Sequence, residues 1–126
     1  MKSILRDPSL APSGMEKINW VRAHMPLLNL LEKRFEAEKP FSGLRVAMSI
    51  HLEAKTARLA LLMKAGGAEM YVTGSNPLST QDDVAAGLAS EGVTVCAWHG
   101  ASDQEYHDHL VATLECKPHI VIDDGG

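Results

Sequence analysis

From residue 40 onwards, the sequence alternates between short apolar runs and longer stretches with helical spacing. The apolar runs have the length and composition of buried strands, and they cover residues 44–50, 68–72, 93–98 and 119–122. A helical stretch separates each run from the next, as in parallel strands joined by crossover helices. The sequence therefore predicts an α/β fold with a four-stranded parallel sheet and flanking helices, in which all four strands end at the same edge.

Capping residues predict where two of the helices begin. Ser79 with Asp82, and Ser102 with Glu105, have the spacing of a capping box ahead of a helical stretch. Earlier in the chain, Pro26 interrupts a run of helical periodicity, which predicts two helices or one kinked helix. We expect residues 1–6 to form a loose tail.

Composition narrows the classes of function. At 126 residues the chain is one domain with room for a real core, and its net charge of −4 argues against a nucleic-acid binder. No apolar run approaches the ~20 residues that cross a bilayer, and no apolar segment of a signal peptide follows the amino terminus. Cys96 and Cys116 lack C-x-x-C spacing, which favours two reduced thiols over a disulfide. We therefore expect a soluble cytoplasmic protein that binds neither nucleic acid nor membrane.

Polar residues follow every predicted strand. In chain order they are His51 and Glu53, residues 73–76, His99, and residues 123–124. Ligands of open parallel sheets bind at the carboxyl ends of the strands. The convergence of these loops predicts a site for a small polar ligand rather than a protein-binding face.

Each of these segments also has a structural interpretation. Two aspartates followed by two glycines at 123–126 are typical of a turn, although paired carboxylates can also hold a metal or transfer protons. Residues 73–77 lack the lysine of a phosphate-binding loop, and no G-x-G-x-x-G motif occurs in the chain. His107 and His109 point to different faces of a predicted helix, so we expect no metal site.

Seven segments, in this order and spacing, resemble the adenosylhomocysteinase family. They are Asp7-x-Ser9-Leu10-Ala11, Trp20, Met25-Pro26-Leu27-Leu28, the segment around His51, residues 73–83, Ala97-Trp98-x-Gly100 and residues 122–126. The resemblance implies that residues 15–126 are the amino-terminal part of a Rossmann-like substrate-binding domain, which is incomplete here. Residues 1–14 would then be the N-terminal tail and helix entry.

The resemblance implies hydrolysis of S-adenosylhomocysteine to adenosine and homocysteine, a step of the S-adenosylmethionine cycle in one-carbon metabolism. Members of the family use a tightly bound NAD to oxidise the ribose 3′-hydroxyl. That oxidation acidifies the 4′-hydrogen, so homocysteine is eliminated from C5′ and water adds before the ketone is reduced. The family's NAD domain corresponds to sequence beyond Gly126, so we expect no turnover from this chain alone. The resemblance also implies a homotetramer for the full-length enzyme.

The family's site residues can be carried over onto matching positions. Asp124 resembles the carboxylate that transfers protons on the C4′/C5′ side of the sugar. His51 resembles the imidazole near C5′ that assists loss of the thiol and addition of water. The remaining residues implied to bind the substrate or support its site are Glu53, Lys55, Thr56, Asn76, Ser79 and Gln81.

The base-reading motif departs from the family pattern. The family has H-x-T-x-E or H-x-T-x-Q, whereas this chain has His51-x-Glu53-x-Lys55. Lysine only donates and ionised glutamate only accepts, so the pair suits O6 and N1–H of hypoxanthine and opposes N6–H and N1 of adenine. An unpaired buried group costs about 1–3 kcal/mol, so two mismatches could discriminate by roughly 10²–10⁴. The sequence therefore favours S-inosylhomocysteine as a substrate. The alternative is that Glu53 and Lys55 pair with each other or reach water, and backbone groups read adenine.

Two hypotheses from other classes remain at this stage. A truncated product of such a gene could be a non-catalytic nucleoside binder or an interaction module. The chain could also be a flavodoxin-like binding domain unrelated to the family.

Overall fold

The computed structural model describes residues 2–125 and contains one sheet in which all strand pairs are parallel. The order across the sheet is β3-β2-β1-β4. In chain order, the strands are β1 (Arg45–Ile50), β2 (Glu69–Gly74), β3 (Thr94–Val95) and β4 (Ile120–Asp123). The predicted four-stranded parallel α/β fold is confirmed, and β1 lies between β2 and β4, which lead to residues 73–76 and to residues 123–124.

Five α-helices flank the sheet within residues 2–125, and a short 3-10 turn at Pro8–Leu10 precedes the first. The helices are α1 (Ala11–Ala23), α2 (Pro26–Glu38), α3 (Ala54–Ala65), α4 (Asp82–Ser90) and α5 (Asp103–Leu114). Pro26 opens α2 and separates it from α1, as its ring and missing N–H favour at the first turn of a helix. Of the two predicted arrangements, two separate helices are therefore observed.

The core lies where the central strands meet α1, α3 and α4. Val46 and Met48 of β1 and Val72 of β2 are fully buried and pack with apolar residues of these helices. The register pairs Ser49 with Thr73 and Ile50 with Gly74, so β1 and β2 end side by side. Because β4 pairs with the other edge of β1, three strand ends are held close together by the backbone ladder.

The backbones of α1 and α4 pack in direct contact, with no side chain between them at the crossing. A Cβ atom built on Gly14 would overlap the carbonyl oxygen of Asp83, and one built on Gly87 would lie 3.0 Å from the Gly14 carbonyl carbon. At the same contact, Asp83 accepts a hydrogen bond from Ser13 Oγ at 2.8 Å and lies 2.9 Å from the ammonium of Lys17. This packing fixes α1 beside the loop that carries Ser79 and Gln81.

α2 is attached to the domain through a buried arginine. The side chain of Arg58 on α3 is fully buried, and its Nη2 donates to Glu32 Oε2 at 2.6 Å and to Asn29 Oδ1 at 2.9 Å. No residue of α2 is itself fully buried. The buried charge pair therefore joins α2 to α3, beside apolar contacts such as that of Phe35 with Phe41.

Two expectations are wrong: the loose tail at residues 1–6 and the capping of α4 by Ser79. Ile4 pairs with Cys96 beyond β3, and Ser3 Oγ accepts from the backbone N–H of Val95 at 2.9 Å, so residues 3–4 are not a loose tail. Ser79 does not cap α4: the residue before α4 is Gln81, which makes no side-chain capping bond. The capping box predicted at Ser102 is confirmed.

Three further expectations concern the domain division, the two cysteines and membrane-spanning helices. The division into residues 1–14 and 15–126 stays a prediction, and its outer limits, Met1 and Gly126, lie outside the described residues. Cys96 is buried, Cys116 is half-buried, and both are free thiols. No helix in the described range has the length and apolar character that crossing a membrane requires.

Candidate functional site

The candidate site lies where β1 passes into α3. His51 and Leu52 follow the last residue of β1, and Glu53 is the N-cap of α3. The backbone N–H of Gln81 donates to the carbonyl of Leu52 at 3.0 Å, and that of Ser75 donates to the carbonyl of Ile50 at 3.1 Å. These two bonds hold the loop after β2 against the end of β1.

His51 contacts this loop through its side chain. Its Nδ1 atom lies 2.6 Å from Ser79 Oγ, and the Ser79 hydroxyl also lies 3.1 Å from the carbonyl oxygen of Asn76. Ser79 thus bonds the imidazole and the turn of its own loop, instead of the helix that the capping pattern predicted. The other ring edge of His51 stays accessible, since just over half of the side-chain surface (54%) is exposed.

Asp124 lies on the opposite side of the same imidazole. Its Oδ2 atom is 3.8 Å from His51 Nε2, close enough for a charge contact but too long for a hydrogen bond. The Asp124 backbone N–H donates to Asp123 Oδ1 at 2.8 Å, which forms a tight turn at the end of β4. Residues far apart in sequence therefore meet at one rim of the sheet, because β4 pairs directly with β1.

The two aspartates of this turn serve different surfaces. Asp124 faces His51, whereas Asp123 lines a separate cavity of about 220 Å³ between α5 and the sheet, with Ser49, Thr73 and Tyr106. The two carboxylates therefore have different surroundings, which disfavours the interpretation in which the pair holds a metal. No group of three His, Cys, Asp or Glu side chains suited to a metal occurs in the part of the chain that the structure describes.

Glu53 caps α3 with the side chain that was predicted to contact a purine base. Its Oε1 accepts from the backbone N–H of Thr56 at 3.0 Å and lies 3.4 Å from Thr56 Oγ1. Thr56 is buried, so its hydroxyl serves this cap rather than an open surface. Lys55 is exposed and makes no ion pair or hydrogen bond within residues 2–125. Of the alternative interpretation, the pairing of Glu53 with Lys55 is therefore not observed, whereas the contact of Lys55 with solvent is.

Asn76 and Gln81 have roles within the loop. Asn76 Oδ1 accepts from the backbone N–H of Leu78 at 2.8 Å, which stabilises the turn, and Gln81 Oε1 lies 3.4 Å from the ammonium of Lys17. Neither side chain makes a hydrogen bond to His51. The structure thus brings together His51, Ser79 and Asp124, and places Asn76 and Gln81 around them as supports.

A cavity that sequence reasoning missed adjoins the N-terminus of α3. Its volume is about 490 Å³, and it is lined by Glu53 and Gln81 together with Glu16, Lys17 and Trp20 of α1. The polar face of α1 was the available signal, but a solvated helix face has the same pattern. Only the packing of α1 on α4 reveals that this face borders the candidate site.

The remaining histidines near the rim have structural roles. His99 Nδ1 lies 3.1 Å from the carbonyl of Thr80, and its backbone N–H donates to Asp82 Oδ1 at 2.7 Å. His109 is buried edge-on against the Trp98 ring, and burial lowers its pKa below the ordinary histidine value. Both rings therefore contribute to packing and loop stability rather than to ligand binding.

Nearly the whole chain is similar in sequence to known proteins. The family described as S-adenosyl-L-homocysteine hydrolase matches residues 2–126. Among curated relatives, the chain is 54% identical to an S-inosyl-L-homocysteine hydrolase of Methanocaldococcus jannaschii over 96% of its length. It is 52% identical to an S-inosyl-L-homocysteine hydrolase of Methanopyrus kandleri and 53% identical to an adenosylhomocysteinase of Pyrococcus abyssi, each over 96% of the chain. The chain spans only 28–29% of the length of these relatives.

Proposed function

This chain belongs to the S-adenosyl-L-homocysteine hydrolase family, and we propose from that membership that it forms the nucleoside-binding part of a nucleoside-homocysteine thioether hydrolase. The observation that carries the proposal is the 3.8 Å contact between His51 Nε2 and Asp124 Oδ2 at the carboxyl end of β1. An imidazole and a carboxylate at one sheet edge are groups that can move protons on either side of a bound sugar.

The net reaction places the elements of water across a C5′–S bond. The hydroxyl goes to C5′ and the hydrogen goes to sulfur, which leaves as the thiol of homocysteine. In the proposal, His51 gives a proton to the departing sulfur and takes one from the incoming water, and Asp124 exchanges a proton on the sugar side. The exposed ring edge of His51 is the one that reaches a ligand in the rim.

NAD is the cofactor that the family implies, and the residues of this chain do not fit it. The turn between β1 and α3 runs Ile50-His51-Leu52-Glu53 and has no glycine, whereas a dinucleotide-binding turn needs glycines so that backbone N–H groups approach the pyrophosphate. When bound, NAD supplies redox chemistry at the sugar hydroxyl. We place its binding site in a part of the protein outside these residues, and we expect this chain alone to have no turnover.

The proposed base is hypoxanthine rather than adenine. Glu53 Oε1 accepts the capping hydrogen bond of α3, but a carboxylate has further acceptor positions. Lys55, two residues later, is an exposed hydrogen-bond donor. An acceptor followed by a donor complements N1–H and O6 of hypoxanthine. The base side of the ligand would enter the cavity beside Glu53 and Gln81, where the Trp20 ring offers an apolar face.

Hydrolysis by a full-length protein that carries this chain tests the proposal. We expect measurable cleavage of S-inosylhomocysteine or S-adenosylhomocysteine, and we expect His51→Asn to lower kcat by about 10²–10⁴. His107→Asn is the matched control, because His107 is exposed on α5 and its side chain makes no hydrogen bond or ion pair within residues 2–125. Absence of cleavage of both thioethers, or equal rates for the two variants, would contradict the proposal.

A further inference from the structure

We infer that Ser79 is a positioning residue that holds neutral His51 in the tautomer with hydrogen on Nδ1 and the lone pair on Nε2. The inference begins with a hydrogen-bond chain of three groups: His51 Nδ1, Ser79 Oγ and the carbonyl oxygen of Asn76. The two distances are 2.6 Å and 3.1 Å. Nothing in the capping pattern of the sequence suggested this use of Ser79.

The direction of the chain follows from counting hydrogens. A serine hydroxyl has one hydrogen and two lone pairs, and a backbone carbonyl can only accept. Both contacts are hydrogen bonds together only if the Ser79 hydroxyl donates to Asn76 and accepts from His51 Nδ1–H. In the other tautomer the hydroxyl would turn to Nδ1, and two oxygen lone pairs would face each other at the Asn76 contact. Only the first arrangement makes both contacts of the Ser79 hydroxyl hydrogen bonds. The Asn76 carbonyl also accepts from the backbone N–H of Ser79 and from Thr80 Oγ1, each at 3.1 Å.

Asp124 is the group that favours the other tautomer, since a carboxylate attracts a hydrogen on Nε2. Its Oδ2 lies 3.8 Å from that nitrogen, beyond hydrogen-bond distance. Both side chains are substantially exposed, at 54% and 38%, so water screens the attraction. The Nδ1···Oγ contact is a hydrogen bond in either tautomer, so the tautomers differ in the Ser79–Asn76 hydrogen bond and in this contact on Nε2. The hydrogen bond to Asn76 outweighs the longer, screened contact.

The consequence for chemistry rests on the proposed function. With Nδ1–H committed to Ser79, the lone pair of Nε2 points to the open rim, where it can take a proton from water. The imidazolium that results then faces the Asp124 carboxylate, which offsets its charge. Ser79 thus acts through His51 and touches no reacting atom in this arrangement.

Nitrogen NMR of the imidazoles in the 126-residue chain reads the tautomer directly, because protonated and lone-pair nitrogens have distinct shifts. The spectra are recorded at about pH 8.5, two units above the reference histidine pKa of ~6.5. We expect a pyrrole-type shift for His51 Nδ1 and a pyridine-type shift for Nε2. His119 is an internal reference for the opposite tautomer, because its Nδ1 accepts from the backbone N–H of Arg45 at 3.0 Å. A pyrrole-type Nε2 in His51 would overturn the inference without any variant.

Three substitutions separate positioning from general loop structure. Ser79→Ala should move the two His51 nitrogen shifts towards each other as the tautomers mix, and Ser79→Thr should restore the original shifts. Thr80→Val is the matched control: Thr80 Oγ1 also donates to the Asn76 carbonyl, at 3.1 Å, but makes no bond to His51. That bond remains in Ser79→Ala, so the Asn76 carbonyl keeps a partner and the loop should fold. Unchanged His51 shifts in Ser79→Ala, or an equal change in Thr80→Val, would refute the inference.

Activity gives a second, separable measurement. In a full-length protein carrying the chain, we expect Ser79→Ala to lower kcat about tenfold with little change in KM, since the substrate contacts persist while the tautomer is lost. Ser79→Thr should recover most of the rate. An unchanged kcat in Ser79→Ala would show that the tautomer has no consequence for catalysis. A protein without hydrolase activity would refute the proposed function, and the NMR result would still decide the tautomer.

Discussion

Glu53 Oε1 lies 3.0 Å from the backbone nitrogen of Thr56, so the carboxylate that is expected to face a purine base also caps α3. The cap satisfies one of the free N–H groups of the first helical turn and places negative charge at the positive end of the helix. Any test of base recognition at this position must therefore keep the cap. Threonine does so, because its hydroxyl is also a favourable N-cap acceptor.

The double substitution Glu53→Thr with Lys55→Glu should shift base preference from hypoxanthine to adenine. It exchanges the acceptor–donor order of the present pair for the family pattern, which reverses the mismatch at both base positions. We expect the ratio of kcat/KM values for S-inosylhomocysteine and S-adenosylhomocysteine to change by roughly 10²–10⁴. The measurement compares the two substrates on the full-length protein.

Glu53→Ala is the companion variant, since it removes both the cap and the acceptor. It should lose about 0.5–2 kcal/mol of unfolding free energy, whereas Glu53→Thr should lose much less. A wild-type preference for the adenine substrate would end the hypoxanthine hypothesis, whatever the stabilities of the variants.

Gly14→Ala should destabilise the domain strongly, against the usual helix preference for alanine. Alanine normally gains up to about 1 kcal/mol over glycine inside a helix, but here its Cβ would overlap the Asp83 carbonyl. Separation of α1 from α4 would cost more than the helix gains. Urea titration gives the free energy of unfolding, with Asn19→Ala on the exposed face of α1 as the control. Equal stability of Gly14→Ala and the wild type would show that the helices can move apart freely.

Glu32→Ala should cost about 3–5 kcal/mol, because it leaves the buried Arg58 charge without its carboxylate partner. The control Glu36→Ala removes an exposed glutamate from the same helix and should change the unfolding free energy by less than about 0.5 kcal/mol. Thermal and chemical unfolding of both variants measure the difference. If the two substitutions cost the same, Arg58 does not depend on Glu32.

Asp83→Asn should lower stability at neutral pH and have little effect in acid. Burial alone would raise the pKa of Asp83, but hydrogen bonds from Lys17 and Ser13 and the charge of Lys17 outweigh it and hold the pKa below its ordinary value. A lowered pKa in the folded state stabilises the protein above the unfolded-state pKa of about 3.9. That stabilisation is lost as the pH falls through the folded-state pKa.

The expected loss for Asp83→Asn at pH 7 is about 1 kcal/mol, since Lys17 is half exposed and solvent screens the pair. Urea unfolding at neutral pH and at about pH 3 should show the gap between wild type and variant closing in acid. Asp103→Asn, at an exposed position in the first turn of α5, is the control. A gap that stays constant across this range would contradict the assigned role of the Asp83 charge.

Much of the fold could be read from the amino acids in order. Apolar runs separated by helical stretches fix a parallel sheet, because parallel strands need crossovers, and this places His51 and Asp124 at one edge before any coordinates are known. The break at Pro26 and the capping box at Ser102 are equally local, since each depends on a few neighbouring residues. These features were correct because no distant contact competes with them.

Other features depended on contacts between distant segments. Ser79 has the spacing of a helix cap, yet its hydroxyl bonds His51, because the pairing of β1 with β2 brings the imidazole within 2.6 Å. The same holds for Ile4, whose pairing beyond β3 has no signature in its own neighbourhood. Sequence alone determined which strands and helices form and which loops share an edge. Only the tertiary structure decided which side chain meets which, because hydrogen-bond partners at that edge come from separate strands whose order, β3-β2-β1-β4, is set by packing.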